Sequence, residues 1–153
     1  MPITVPSSPP HLAPAVTAPD AGKTVLVVDD EPHIGRIIRM RLEQAGYHVL
    51  LAERDTEAFA HLAASPSIAL LVLDLMLPGM SGTEILKQLR RDPRWHALPC
   101  IVLTAAGEDA QLHEVDALGV SEIMTKPFSP RRLLERVRTY TDTVPGVPAQ
   151  EDV

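Results

Sequence analysis

The chain has 153 residues, a formal charge of −6, 45% apolar residues and only 3% aromatic ones; that suffices for one domain with an aliphatic core and is too short for two ordinary ones. The acidic balance argues against direct binding to nucleic acid, whose phosphates reward clustered Lys and Arg, and the single cysteine excludes an internal disulfide framework. No apolar run approaches the ~18–20 residues that cross a bilayer, and the N-terminus has neither the basic flank nor the apolar stretch of a signal peptide, so a soluble, cytoplasmic protein with no membrane partner is expected.

Residues 1–22 hold six of the fifteen prolines and too little apolar surface to offset the entropy of ordering, which predicts a disordered Pro-rich tail. Thr24–Val28 then reads as a buried strand. Residues 32–45 place Ile34, Ile37, Ile38, Leu42 and Ala45 at helical spacing, and Gly46 supplies the stop. Tyr47–Leu51 reads as a second strand and Arg54–Ala64 as a second helix. Ile68–Leu73 is a continuous apolar strand that ends abruptly at Asp74. A helix over Ser81–Arg90 follows, then a strand at Cys100–Leu103, a helix near Glu108–Leu118, a strand at Glu122–Thr125 and a helix from Ser129 to Tyr140. Ser129 and Pro130 make a good N-cap and first-turn pair. Asp142, Pro145, Gly146 and Pro148 forbid a continuing helix, so residues 141–153 are expected to form a second disordered tail around a domain at 23–140. That domain carries 16 acidic and 14 basic residues, so most of the net charge lies in the tails.

Five strands alternating with five helices predict a doubly wound α/β fold, with a parallel sheet covered on both faces. The alternation does not choose the strand order. Such sheets place their functional groups beyond the carboxyl ends of the strands. Those positions hold Asp29 and Asp30, then Asp74, Thr104, and Lys126-Pro127. Three carboxylates in one partly desolvated cleft repel each other, and a hard divalent cation relieves the repulsion. Asp74 can then offer an oxygen as nucleophile, while Thr104 donates to a phosphoryl oxygen and Lys126 neutralises another.

The stretch 23–140 resembles the CheY-like receiver domain of two-component response regulators. The matching pieces are Val27-Val28-Asp29-Asp30-Glu31-Pro32, Leu73-Asp74-Leu75-Met76-Leu77-Pro78-Gly79-Met80-Ser81-Gly82, Leu103-Thr104-Ala105 and Lys126-Pro127-Phe128. The resemblance implies a sheet order of 2-1-3-4-5. It implies that Asp74 takes a phosphoryl group from a sensor histidine kinase or phosphotransfer protein, as a signalling module rather than an enzyme. Asp30, Asp74 and the Met76 carbonyl would hold Mg²⁺ (or Mn²⁺), with Asp29 acting mostly through water, and the backbone of Met76 and Ala105 would contact the phosphoryl group. The Lys126–Pro127 bond would be cis. Output would reach a downstream protein effector, or a second copy of the chain, through the face made by the fourth helix, fifth strand and fifth helix. One position departs from the pattern: Ile123 stands where the family usually has Tyr or Phe as a switch reporter. Phosphorylation is therefore expected to move the 105–110 segment after Thr104 more than Ile123.

Other features have plainer readings. Cys100 opens an apolar run and reads as core. The histidines at 11, 33, 48, 61, 96 and 113 show no metal-ligand spacing. Gly22-Lys23-Thr24 lacks the upstream glycine of a phosphate loop and precedes a strand rather than a helix. Arg131, Arg132, Arg136 and Arg138 make the last helix locally basic. Two functions compete. A haloacid-dehalogenase-type phosphatase needs a second acid two residues after the nucleophile, where Met76 stands. A phosphate-independent pseudo-receiver would lack one of the acidic or lysine positions, and all are present. The chain reads either as a stand-alone regulator working by protein contact or as a piece of a longer, multidomain regulator, the acidic, Pro-containing end of the sequence suiting a natural terminus slightly better.

Overall fold

The computed structural model describes residues 22–65, 67–105 and 109–142, with the backbone alone at 109 and 110. Apart from Gly22, Thr141 and Asp142, both expected tails lie outside the described residues, as does 106–108 of the loop after Thr104. The elements run β1 (Thr24–Val28), α1 (Pro32–Gln44), β2 (His48–Ala52), α2 (Asp55–Ala64), β3 (Ile68–Asp74), α3 (Gly82–Arg91), β4 (Cys100–Thr104), α4 (Asp109–Ala117), β5 (Glu122–Thr125) and α5 (Pro130–Thr141). The strands form one parallel sheet in the order β2-β1-β3-β4-β5.

Period-two alternation divides the apolar residues between two cores. Leu26, Val28, Leu71, Leu73, Cys100 and Val102 face one side, where α2, α3 and α4 add Leu62, Ile85, Leu86, Leu89 and Val115. Val25, Val27, Leu70, Val72, Ile101 and Leu103 face the other, closed by Ile38 and Leu42 of α1 and Leu133 and Val137 of α5. Each such side chain contributes about 1.5–3 kcal/mol by leaving water. Both sides of β1, β3 and β4 are thus buried, which is why their sequences are unbroken apolar runs rather than alternating ones.

Caps fix the helix ends. Ser81 Oγ accepts from Glu84 N at 3.2 Å and Ser129 Oγ from Arg132 N at 3.2 Å. Gly46 follows α1 with φ of 100°, a left-handed turn that a residue with a Cβ resists. Three polar ties run along α3 and α4: Thr83 Oγ1 to Gln111 Oε1 at 3.1 Å, the Lys87–Glu114 ion pair, and Arg90 Nε to the Leu118 carbonyl at 2.8 Å.

Several expectations need correction. β2 begins at His48, because Tyr47 is taken up before it, its N–H donating to the Leu42 carbonyl at the end of α1. Helix α5 includes Thr141, whose hydroxyl meets Tyr47 Oη at 2.8 Å in a buried contact. Ile37 is 43% exposed. The buried stripe of α1 is narrow, made of Gly35, Ile38 and Leu42, and Ile37 falls on its flank.

Candidate functional site

Adjacent parallel strands end side by side. Val28 pairs with Leu73 in the register of β1 and β3, so Asp29 and Asp74 follow one another across the sheet edge. One oxygen each of Asp29, Asp30 and Asp74 lies within 4.8 Å of the others. Asp29 and Asp74 are each 3% exposed and Thr104 is 1% exposed, whereas Asp30 opens to solvent. Beyond β5, Lys126 is held in place by its own backbone, whose N–H donates to the Thr104 carbonyl at 2.7 Å. The Lys126–Pro127 peptide is cis.

Asp29 and Asp74 use their oxygens in the same way. Asp29 Oδ1 accepts from Glu31 N at 2.9 Å, and Asp74 Oδ1 accepts from Met76 N at 3.0 Å. Their other oxygens face Lys126: Nζ lies 3.0 Å from Asp29 Oδ2 and donates to Asp74 Oδ2 at 3.1 Å. The approach to Asp29 Oδ2 has ion-pair distance but not hydrogen-bond geometry, so that oxygen is a buried carboxylate atom without a hydrogen bond. A buried anionic oxygen in that state costs free energy, and a divalent cation bound among three carboxylates answers the need. The donor set, all oxygen, suits Mg²⁺ or Mn²⁺.

Burial pushes the Asp74 carboxyl up to about 6, helped by the neighbouring Asp29 charge and opposed by the Met76 N–H and Lys126. Burial also disfavours the Lys126 ammonium, but the three carboxylates of Glu31, Asp29 and Asp74 beside it outweigh this and leave its pKa raised. Glu31 is the site residue that spacing did not single out. Its Oε1 accepts from Lys126 Nζ at 3.0 Å, and the hydrogen bond to that ammonium holds its pKa below the usual carboxylate value. It stands in the quoted Asp29-Asp30-Glu31-Pro32 piece, but only the fold brings Lys126, 95 residues away, within reach.

Asp30, Glu31, Asp74 and Lys126 line a cleft of about 400 Å³ together with Met76 and Ala105. The Met76 side chain is exposed. Thr104 Oγ1 donates to the Ala105 carbonyl at 3.3 Å. Ile123 is half-buried beside Val102 and packs against the core on the α2–α4 side. The floor of the site is tight: a Cβ on Gly82, at the start of α3, would fall 2.3 Å from the Asp74 carbonyl oxygen.

The remaining candidates are elsewhere. Cys100 is fully buried and its thiol is pushed up to about 12 by that burial. His33, His48, His96 and His113 are exposed, and His61 lies 3.0 Å from the Leu51 carbonyl. His11 lies outside the described residues. Among the described residues the Asp29–Asp30–Asp74 group is the cluster with metal-ligand spacing, and no helix is long and apolar enough to cross a membrane.

The family profile of the response regulator receiver domain matches residues 25–138. The phosphate regulon transcriptional regulatory protein PhoB of Pseudomonas aeruginosa is 43% identical over 117 residues, covering 76% of this chain and 51% of that protein. The transcriptional regulatory protein ResD of Bacillus subtilis is 41% identical, covering 74% of this chain and 46% of that protein. The chain thus spans about half the length of the curated relatives it matches. A response regulator receiver protein from Pseudomonas putida is 30% identical, with a TM-score of 0.73 over 77% of this chain and 97% of that one.

Proposed function

The chain belongs to the response regulator receiver domain family of two-component systems, and on that premise we propose that Asp74 accepts a phosphoryl group from a phosphohistidine of a sensor kinase or phosphotransfer protein. The observation that carries this reading is the meeting of Asp74 Oδ2 with Lys126 Nζ at 3.1 Å beside a second buried acid, Asp29. An ammonium paired with a buried carboxylate is placed to offset charge on a group transferred to that carboxylate. The Asp74 carboxylate oxygen forms a bond to phosphorus as the phosphorus–nitrogen bond to the donor histidine breaks, and the electron pair leaves with the imidazole. Lys126 and the Thr104 hydroxyl steady the phosphoryl oxygens, and the backbone of Met76 and Ala105, two residues that line the cleft with Lys126, contacts them as well.

Asp29, Asp30 and Asp74, with the Met76 carbonyl, would hold Mg²⁺ or Mn²⁺, which supplies positive charge to the phosphoryl oxygens. With its carboxyl near 6, Asp74 is mostly ionised at neutral pH and able to act as nucleophile. The exposed thioether of Met76 stands where a phosphatase of this chemistry needs its acid, which favours a held phosphate over turnover.

The output we assign to the receiver is a change in protein contacts on the α4–β5–α5 face, with a downstream effector or a second copy as partner. Arg131 and Arg132 of α5 are exposed, and Arg136 of α5 pairs with Glu122 of β5 at 3.3 Å. Because PhoB and ResD are named transcriptional regulators and the match covers about half of each, the expectation of no direct nucleic-acid binding is confined to the matched receiver region. Intact mass after incubation with acetyl phosphate and Mg²⁺ tests the reading. The wild type is expected to gain one phosphoryl group and Asp74→Asn none; an unmodified wild type favours the pseudo-receiver, and sustained hydrolysis of a phosphomonoester favours the phosphatase.

A further inference from the structure

Three carboxylates surround Lys126, and only one faces outward. The side chains of Asp29 and Asp74 are 0% and 4% exposed, whereas that of Glu31 is 47% exposed. Glu31 occupies the N-cap position of α1 yet makes no side-chain capping hydrogen bond. A residue at that position commonly lends an oxygen to the first N–H groups of its helix. Here the carboxylate is turned instead to an ammonium 95 residues away, at 3.0 Å.

On its inner side the same ammonium lies against Asp29 Oδ2 and Asp74 Oδ2. Those two residues are also members of the cluster whose oxygens converge within 4.8 Å. Lys126 and a divalent cation therefore lay claim to the same carboxylates. Two positive charges a few ångströms apart repel strongly where solvent is scarce, so a cation entering the cluster requires the ammonium to give ground. An ammonium with no other partner would lose both ion pairs in doing so. From this geometry we infer that Glu31 is a positioning residue: it gives Lys126 an outward seat, so the ammonium can yield Asp29 and Asp74 to a divalent cation while keeping an ion pair. The inference rests on the cation site proposed above and assigns a role to a carboxylate outside it.

A different account has Glu31 attract the cation through space, with no part played by Lys126. A double-mutant cycle separates the two. Mg²⁺ affinity is measured by titration calorimetry for the wild type, Glu31→Gln, Lys126→Met and the double variant, each checked for cooperative unfolding. Glu31→Gln is expected to weaken Mg²⁺ binding about three- to fivefold, the upper part of the range for one solvent-facing ion pair. Lys126→Met is expected to bind Mg²⁺ more tightly than the wild type, and adding Glu31→Gln to it to change affinity less than about 1.5-fold. An equal loss in both backgrounds, or no loss in the single variant, overturns the inference.

Lysine-labelled NMR gives a second readout that needs no Lys126 variant. The chain has three lysines, Lys23, Lys87 and Lys126, so their side-chain Cε signals can be told apart. Mg²⁺ is expected to move the Lys126 signal in the wild type and to move it by a different amount in Glu31→Gln. A Lys126 signal indifferent to Mg²⁺ in a wild type that binds the ion overturns the inference alone. A wild type that binds no Mg²⁺ overturns the cation site as well.

Discussion

Lys126 Nζ and Asp74 Oδ2 stand 3.1 Å apart although 52 residues separate them in the chain, and the contact is made at the edge of a buried sheet. Neither residue is held by its own neighbours alone. Asp74 is fixed by β3 between β1 and β4, and Lys126 by its backbone bond to Thr104. Lys126→Ala should leave the sheet intact and slow phosphorylation of Asp74 by about a hundredfold, as removing one charge-stabilising donor does at other sites. The rate of adduct formation by intact mass measures it, and a near-wild-type rate would remove Lys126 from the chemistry.

The raised Asp74 carboxyl predicts a pH-dependent stability in the absence of metal. Its folded-state pKa, about 6, exceeds the ordinary 3.8, so between those values the folded protein binds a proton that the unfolded chain does not. Stability therefore falls as pH rises from about 4 through about 6, by on the order of 2–3 kcal/mol from this group. Asp74→Asn should be more stable than the wild type at pH 7 in EDTA, with the gap closing as pH falls from about 6 to about 4. Urea titrations across that range check it; a variant less stable than the wild type at pH 7 contradicts it.

Gly82 has no room for a side chain. A Cβ there would lie 2.3 Å from the Asp74 carbonyl oxygen and 2.8 Å from Leu75 Cα, both backbone atoms that cannot swing aside. Gly82→Ala should cost about 3 kcal/mol or more by forcing α3 away from the end of β3. It should also slow acceptance of phosphate, because the Gly82 N–H bond to the Leu75 carbonyl, 2.9 Å, lies next to the acceptor. Thermal unfolding with a parallel adduct assay measures both effects.

Arg90 ties the end of α3 to the end of α4. Its three nitrogens donate to the carbonyls of Leu118 at 2.8 Å, Trp95 at 3.1 Å and Gly119 at 3.1 Å. Arg90→Ala should destabilise by on the order of 1–3 kcal/mol and speed amide exchange at the end of α4. Arg90→Lys should not restore protection, since a point charge cannot serve three carbonyls held by a planar fork. Hydrogen exchange resolved by residue decides this.

A phosphate mimic such as beryllofluoride should shift backbone resonances after Thr104 more than those of Ile123. Ile123 packs half-buried against the α2–α4 core and has no polar edge to exchange between solvent and interior. Comparison of amide and methyl spectra tests it, and unmoved signals at 105–110 would count against it.

The sequence by itself determined the alternation of strands and helices, the helix cap at Ser129 and the end-of-strand acids, because each is a local consequence of residue type and period. Unbroken apolar runs such as Ile68–Leu73 announced a sheet buried on both faces, and the order of four short motifs carried the family. Tertiary structure decided what depends on distant partners. The start of β2 at His48 follows from the hold of Leu42 on Tyr47, and the exposure of Ile37 from which flank of α1 the sheet covers. Glu31 is the clearest case. In the chain it is an acid before a helix; in the fold it meets Lys126 at 3.0 Å, because β1 and β5, on either side of β3 and β4, end at the same edge of one parallel sheet. Local patterning fixes which residues stand at the strand ends, and only the packing of the whole sheet sets which of them share a charge.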